Sequence, residues 1–190
     1  MILTFKTIFS KIDDPRRPQG LRTDLWQLLS ICVLSYMAGF TGYRGIYRFG
    51  RVHELTLTQA LGLRHGIPSH VTIRDVLQRI PQSDLTHAFC AWSMDLEGVS
   101  EEWYSGDGKV LGSTVSDVFT RHQSFEGVVS IFAQKSGLVK CLGSYRNEEK
   151  QKGEPHLARV LIEQLEGMGV VFCLDALHTQ KNGTQNCPDR

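Results

Sequence analysis

The spacing of apolar residues changes once along this 190-residue chain, between residues 98 and 102. Before this point apolar residues recur at intervals of three and four, the period of helices that pack one face on a core. After it come short runs rich in β-branched and aromatic residues, which are typical of strands. The pattern therefore predicts an α+β chain, with a small all-helical domain at residues 1–100 and a second, mixed domain at residues 101–190.

Local signals mark where several of the helices begin and end. Asp24 is a favourable N-cap residue in front of a long apolar segment. Ser69 can cap another helix, which Pro81 then stops. Three further helices are predicted at residues 43–51, 55–61 and 83–97. The first hundred residues are thus interpreted as several short helices packed around a common core.

The second part has the element order strand, strand, strand, helix, strand. The strands are predicted at residues 103–106, 127–134, 139–145 and 170–174, and the helix at residues 154–166. The second and third strands form a hairpin around a Lys-Ser-Gly turn. A crossover helix returns the fourth strand parallel to a partner in the same sheet, which we expect to be the first strand.

Two aspartates come directly after predicted strands. Asp107 follows the first strand and Asp175 follows the fourth. If these strands are parallel neighbours, both carboxylates lie at one edge of the sheet, where open α/β sheets place their sites. Paired carboxylates can share divalent cations that clamp the attacking and leaving oxygens of a phosphodiester, and Mg²⁺ suits oxygen ligands. Aspartates at strand ends are common, so the spacing alone is weak support for such a site.

Charge and cysteine usage bound the remaining possibilities. Residues 1–100 carry 11 basic and 8 acidic side chains, and residues 101–190 carry 10 and 12. The acidic second part fits a carboxylate site, although a solvated surface would have the same composition.

The 5 cysteines show no metal-ligand spacing, so we expect reduced, mostly buried thiols in a cytoplasmic protein. Residues 25–40 are too short and too interrupted for a membrane span, which favours a buried helix and no membrane partner.

Six segments in their joint order carry a family resemblance: DDPRRPQGLR (13–22), LLSICVLSYMAG (28–39), GIPSHVTIRDVLQRI (66–80), GDGKVLGS (106–113), YRNEE (145–149) and LDALHTQK (174–181). Together they resemble the H-repeat-associated insertion-sequence transposases, which belong to the carboxylate-triad (DDE) type. The resemblance implies a helical associated domain followed by an RNase H-like domain. It also implies metal-dependent cleavage and strand transfer on DNA, namely transposon ends and target. The resemblance allows a homo-oligomer.

The resemblance also assigns roles to individual positions. It implies that Asp107 and Asp175 are the first and second catalytic acids and ligands of Mg²⁺ or Mn²⁺. Lys109 matches a position that we interpret as a phosphate contact. Three further positions, Asn147, Glu148 and His178, match motif residues without a role that we can assign.

The end of the chain departs from the family pattern. Members of the family continue past the second aspartate to a glutamate that completes the metal site. Here 15 residues follow Asp175, and none of them is glutamate. We therefore expect a C-terminally truncated and inactive remnant, whose RNase H-like domain is incomplete.

Two other readings stay open. The chain could be a non-enzymatic DNA-binding or regulatory protein in which Arg16, Arg17 and Arg22 contact phosphates, although these arginines could also belong to a solvated linker. It could also be a folded fragment without activity. A nucleotide-binding loop at GDGKVLG is disfavoured, because its glycine spacing fits neither the dinucleotide nor the Walker pattern.

Overall fold

A computed structural model describes residues 2–19, 21–97, 103–115, 124–146, 153–163, 165 and 171–174 of the chain. Four residues singled out in the sequence, Asn147, Glu148, Asp175 and His178, lie outside this described part. The chain divides into two compact units, Met1–Phe89 and Cys90–Arg190. The division falls inside a helix, whereas the sequence places the domain boundary near residue 100.

The first unit is built from short helices. Its elements are α1 (Ile2–Phe9), α2 (Leu25–Met37), α3 (Gly42–Val52), α4 (Glu54–Leu61), α5 (His70–Arg79) and the first half of α6 (Gln82–Glu97). Four fully buried side chains from α2, α3 and α5 form its centre, namely Leu28, Ile31, Ile46 and Ile73. Each side chain of this kind stabilises the fold by about 1.5–3 kcal/mol.

The helix starts predicted from local chemistry at Asp24 and Ser69 are confirmed. Asp24 is the N-cap residue of α2, and its backbone N–H donates to Gln27 Oε1 at 2.9 Å. The Ser69 hydroxyl accepts from the Thr72 backbone N–H at 3.2 Å and caps α5. The prediction that Ser83 begins the next helix is wrong by one residue, because α6 already begins at Gln82. Frayed ends of this kind shift helix limits by one or two residues.

The second unit contains a four-stranded mixed sheet. Its strands are β1 (Trp103–Val110), β2 (Glu126–Ala133), β3 (Val139–Arg146) and β4 (Val171–Cys173), and the helix α7 (Glu154–Glu163) precedes β4. The strand order is β3-β2-β1-β4. Strands β2 and β3 form the predicted antiparallel hairpin, and β4 pairs parallel to β1 as the crossover argument predicts. In its described part the chain is therefore an α+β protein with seven α-helices.

Helix α7 covers one face of the sheet. The core there combines Tyr104 of β1, residues of β2 and β3, and Ala158 and Leu161 of α7. Gly143 in β3 makes this packing possible, because a Cβ at that position would lie 2.8 Å from Leu157 Cδ1. The glycine lets the helix approach the strand closely.

The cysteines follow the expectation in part. Cys32 and Cys141 are buried, Cys90 is half-buried, and none of these forms a disulfide. Burial raises the pKa of the Cys32 thiol to about 12, so this thiol is unreactive. The expectation of burial is wrong for Cys173, because it lies in the edge strand β4 and is exposed. Cys187 lies outside the described residues.

Within the described residues, no helix is by itself long and apolar enough to cross a membrane. Helices α2 and α3 would reach the required length and composition only as a pair, and they are bent by 96° where they meet.

Candidate active site

Strand β1 positions Asp107 in the middle of the sheet. The strand lies between β2 and β4, and Asp107 is opposite Ser130 of β2. Side chains alternate between the two faces of a strand. Tyr104 points into the core under α7 and is 0% exposed. Asp107 lies three positions further along the strand, so it faces the opposite side of the sheet, and it is exposed. The fold therefore presents the Asp107 carboxylate on the face that α7 does not cover.

The expectation that Asp107 directly follows a strand ending at Gly106 is wrong. Strand β1 continues to Val110, because its antiparallel pairing with β2 extends to the Val110 and Gly127 pair. The parallel pairing with β4 stops earlier, at Ser105 and Cys173 in the described part of the chain. Asp107 thus lies within β1 but beyond its described pairing with β4.

Strand β4 leads towards the same part of β1. The described pairs are Trp103 with Val171, Tyr104 with Phe172, and Ser105 with Cys173. The next residue, Leu174, is so close to β1 that a Cβ on Gly106 would lie 2.7 Å from Leu174 Cδ2. Asp175 follows Leu174 in the sequence and lies outside the described residues.

Both glycines beside Asp107 border side chains of other elements. Gly106 borders Leu174, and a Cβ on Gly108 would collide with the carboxylate of Glu154 at the start of α7. Glu154 also accepts a hydrogen bond from the Tyr145 hydroxyl at 3.2 Å. Sequence reasoning missed this acid, although an acidic residue in the first turn of a helix was a usable signal. Gly108 and Asp107 are adjacent in the strand and therefore face opposite sides of the sheet. Glu154 thus lies on the other face of β1 and does not share a metal site with Asp107.

Burial of the Tyr145 hydroxyl raises its pKa, and the negative charge of Glu154 adds to the effect. Tyr145 therefore stays protonated and keeps donating to Glu154. This hydrogen bond joins the end of β3 to the first turn of α7, and it holds Glu154 behind β1.

The surroundings of Asp107 provide few other ligands. Lys109 shares its face of β1 and is exposed. Among the described residues, no three His, Cys, Asp or Glu side chains are grouped closely enough to hold a metal ion. Among the described residues, Asp107 also takes part in no salt bridge. Its carboxylate is therefore accessible and has no competing cationic partner there.

The three arginines predicted to contact phosphates lie in the first unit and differ from one another. The guanidinium of Arg16 donates to both carboxylate oxygens of Asp14, at 2.8 and 2.6 Å, and to the Thr23 carbonyl oxygen at 2.9 Å. Arg17 and Arg22 are exposed. Arg16 is thus held by the protein itself, whereas the other two extend into solvent.

Comparison with known proteins adds independent information. Residues 6–93 match the family described as DDE_Tnp_1-associated. A protein from the dhlA 3′ region of Xanthobacter autotrophicus is 28% identical over 93% of this chain and 59% of its own length. In Escherichia coli (strain K12), the "H repeat-associated putative transposase YhhI" is 26% identical over 91% of this chain and 45% of its own length. The similarly named YbfD is 25% identical over 91% of this chain and 67% of its own length.

The similarity therefore extends over almost all of this chain, while the chain spans about half to two thirds of the length of these relatives. The family match covers the helical part, and the H-repeat relatives extend the similarity through the sheet. These matches agree with the six segments that first suggested the resemblance. This chain is therefore similar to the H-repeat-associated transposases over most of its length, and its helical part matches the DDE_Tnp_1-associated family.

Proposed function

We propose that this chain is part of a DNA transposition protein of the type that cleaves and joins phosphodiester bonds with divalent cations, and that Asp107 and Asp175 are two of the residues that hold the cations. The observation that carries the proposal is the parallel pairing of β1 with β4. Each described pair joins residues that are 68 positions apart in the chain. The same 68 positions separate Asp107 from Asp175, so this register favours neighbouring carboxylates.

The residues available at this site fit a hard divalent cation. The Asp107 carboxylate is exposed, and it forms no salt bridge with a basic side chain in the described part of the chain. Carboxylate oxygens are the ligands that Mg²⁺ and Mn²⁺ prefer. Bound there, the cation would supply charge stabilisation at the phosphate and would acidify a coordinated water. Asp107 and Asp175 would hold it, and Lys109 would contact a DNA phosphate beside them.

The sheet also supports the RNase H-like part of the proposal. A three-stranded antiparallel unit, a crossover helix and a fourth strand parallel to the first are what the family resemblance implies. The strand order β3-β2-β1-β4 agrees with that arrangement. The family and the named relatives then favour DNA as the substrate.

Metal binding tests the site directly. We expect Asp107→Asn and Asp175→Asn each to weaken Mn²⁺ binding by about tenfold or more, because each removes one charged ligand. Titration followed by Mn²⁺ electron paramagnetic resonance measures the free ion. Asp95→Asn is the matched control, since Asp95 is an exposed aspartate on α6. Unchanged Mn²⁺ affinity in Asp107→Asn, with unfolding behaviour like that of the parent protein, would refute the assignment.

Cleavage tests the reaction itself. The measurement is nicking of supercoiled DNA by the 190-residue chain with and without Mg²⁺. Nicking that depends on Mg²⁺ and is lost in Asp107→Asn supports the proposed chemistry. It would also contradict the prediction of an inactive remnant. Nicking that survives in Asp107→Asn would show that the activity arises elsewhere.

A further inference from the structure

The first unit contains an open cleft of about 680 Å³ with several basic side chains in its lining. Arg16, Arg17, Arg22 and Arg79 line it, together with His65. We call these five residues the arginine cleft. The other lining residues include no aspartate or glutamate; they are Gln19, Leu21, Thr23, Gly66, Ile67, Pro68, Ser69 and Thr72. A cleft lined by one sign of charge concentrates the field and attracts ligands of the opposite sign.

A smaller cavity of about 280 Å³ borders the arginine cleft. Leu21, Arg22 and His65 line both cavities, and the smaller one adds Arg64. Its one acidic lining residue is Asp24, which serves as the N-cap residue of α2. The basic surface therefore continues beyond the cleft, around the segment that contains Arg64 and His65.

The four arginines of the cleft differ in whether the protein holds their side chains: Arg16 is held by other residues, and the other three extend into solvent. Arg16 is bound on both sides, by the Asp14 carboxylate and the Thr23 carbonyl oxygen, and its side chain is only 13% exposed. Arg17, Arg22 and Arg79 are exposed and form no salt bridge within the described part of the chain. Arg16 therefore shapes the wall, while the other three remain available to an anion.

Charge counts agree with this local picture. Residues 1–89 carry 11 basic and 6 acidic side chains, although the whole chain carries 21 and 20. The excess positive charge is thus confined to the unit that contains the cleft. The basic residues of the cleft come from three separate segments, at Arg16 to Arg22, at His65 and at Arg79.

We propose that the arginine cleft binds the phosphate backbone of duplex DNA. An open cleft of this volume is much larger than one phosphate, and guanidinium groups from two segments, with the His65 imidazole from a third, suit successive phosphates along a strand. Contacts of this kind fix the position of a protein on DNA without reading the base sequence. The choice of DNA over other polyanions rests on the proposed function, whereas the cleft itself rests on the geometry of the first unit.

The test is binding of the full chain to a short fluorescent DNA duplex, measured by anisotropy in EDTA at several salt concentrations. The cleft variant carries Arg17→Gln, Arg22→Gln and Arg79→Gln. We expect it to bind at least about tenfold more weakly at low salt and to reduce the slope of log K against log salt by about 2 to 3. A second variant with lysine at the same three positions keeps the charge, and we expect most of the binding to return.

Helix α3 offers a matched control for the loss of charge. Arg44, Arg48 and Arg51 form an exposed face of that helix and contribute nothing to the lining of the cleft. The triple glutamine variant of these residues removes the same charge, and we expect it to bind DNA within about threefold of the parent protein. Circular dichroism of each variant shows that the fold is retained.

Three results would overturn the inference. The first is parent-like affinity in the folded cleft variant, and the second is an equal loss of affinity in the cleft and α3 variants. The third is clear preference for an RNA duplex over the DNA duplex. Because the assay contains EDTA, absence of metal-dependent cleavage would leave this test unaffected. Failure of the proposed chemistry and failure of the cleft can therefore be told apart.

Discussion

At the scale of single residues, the contact between Asp14 and Arg16 links acid–base equilibrium to the shape of the cleft. The hydrogen bonds from the Arg16 side chain hold the pKa of Asp14 below its ordinary value, and partial burial opposes them. Both side chains are mostly shielded, with 25% exposure for Asp14 and 13% for Arg16. The charged form of Asp14 is therefore the form that stabilises the fold.

This shift predicts a stability that depends on pH. Because the folded protein lowers the pKa of Asp14, the unfolded chain binds the proton more readily. The stabilisation is complete above the unfolded pKa and is lost as the pH falls through the folded pKa. We expect Asp14→Asn to lower the unfolding free energy at neutral pH, with a difference that disappears in acid. Urea unfolding across an acidic pH series measures it.

The neighbouring Asp13 provides the control for this experiment. It is exposed and forms no salt bridge with another described residue. Asp13→Asn should leave both the stability at neutral pH and its acid dependence close to those of the parent protein. If both variants respond alike, the pairing with Arg16 has no special effect.

At the scale of elements, α6 protects the outer edge of the sheet. Strand β3 is an edge strand, and its outward backbone groups would otherwise be open to pairing with another chain. The Ser93 hydroxyl donates to the Val139 carbonyl oxygen at 2.6 Å, and Leu142 N–H donates to Cys90 Sγ at 3.3 Å. The Lys140 ammonium donates to the Ser93 carbonyl oxygen at 3.3 Å. These bonds explain why the division into units falls within α6.

The substitution Ser93→Ala tests this protection, because it removes one hydrogen bond between α6 and β3. Ser93 is only 1% exposed, so its removal leaves the Val139 carbonyl oxygen without that donor. We expect a loss of about 1–3 kcal/mol in unfolding free energy. Chemical denaturation gives this value, and light scattering reports any added self-association. Ser83→Ala, at an exposed position of the same helix, should change the stability by less than about 0.5 kcal/mol.

At the scale of the whole molecule, the near-neutral charge hides an uneven distribution. Residues 90–190 carry 10 basic and 14 acidic side chains, opposite in sign to the 11 and 6 of residues 1–89. The total is +1 at pH 7 with neutral histidines. Copies of such a chain repel one another weakly, and their oppositely charged parts attract.

This distribution predicts that self-association is strongest near neutral pH and low salt. Moderate salt should weaken it by screening. A lower pH should also weaken it, because every copy then gains net positive charge and the copies repel one another more strongly. Static light scattering over pH and salt provides the measurement. Association that is insensitive to salt would instead implicate the exposed apolar residues Trp103 and Val171 at the β4 side of the sheet.

An element of this fold could be predicted from the sequence where residues close in sequence determine its limits. Ser69 was predicted to start α5 because a capping hydroxyl acts within a few residues. Helix α1 was missed, because Ile2–Phe9 has only 8 residues, too few for a helical period to be distinctive, and no capping residue precedes it in the sequence. The extension of β1 to Val110 was also missed. Its glycines, Asp107 and Lys109 are poor strand formers, and pairing with β2 determines their conformation.

Part of the candidate site could likewise be predicted from the sequence, and part could not. Parallel pairing of β1 and β4 followed from the element order, and the structure confirms it. The neighbouring positions of Asp107 and Asp175 remain a prediction, as do the roles of Lys109 and of Arg16, Arg17 and Arg22. The arginine cleft could not be found from sequence, because Arg22, His65 and Arg79 meet only through packing of the helices.

The two glycines that flank Asp107 affect how mutational data on this protein must be interpreted. The Leu174 side chain lies where a Cβ of Gly106 would be, and the Glu154 side chain lies where a Cβ of Gly108 would be. A substitution at Gly106 or Gly108 would push the Leu174 or the Glu154 side chain aside and disturb the packing beside the acid without touching any reacting atom. Inactive variants at these glycines would therefore imitate loss of a catalytic group. Only the aspartate, replaced by its isosteric amide in an intact sheet, separates chemistry from architecture.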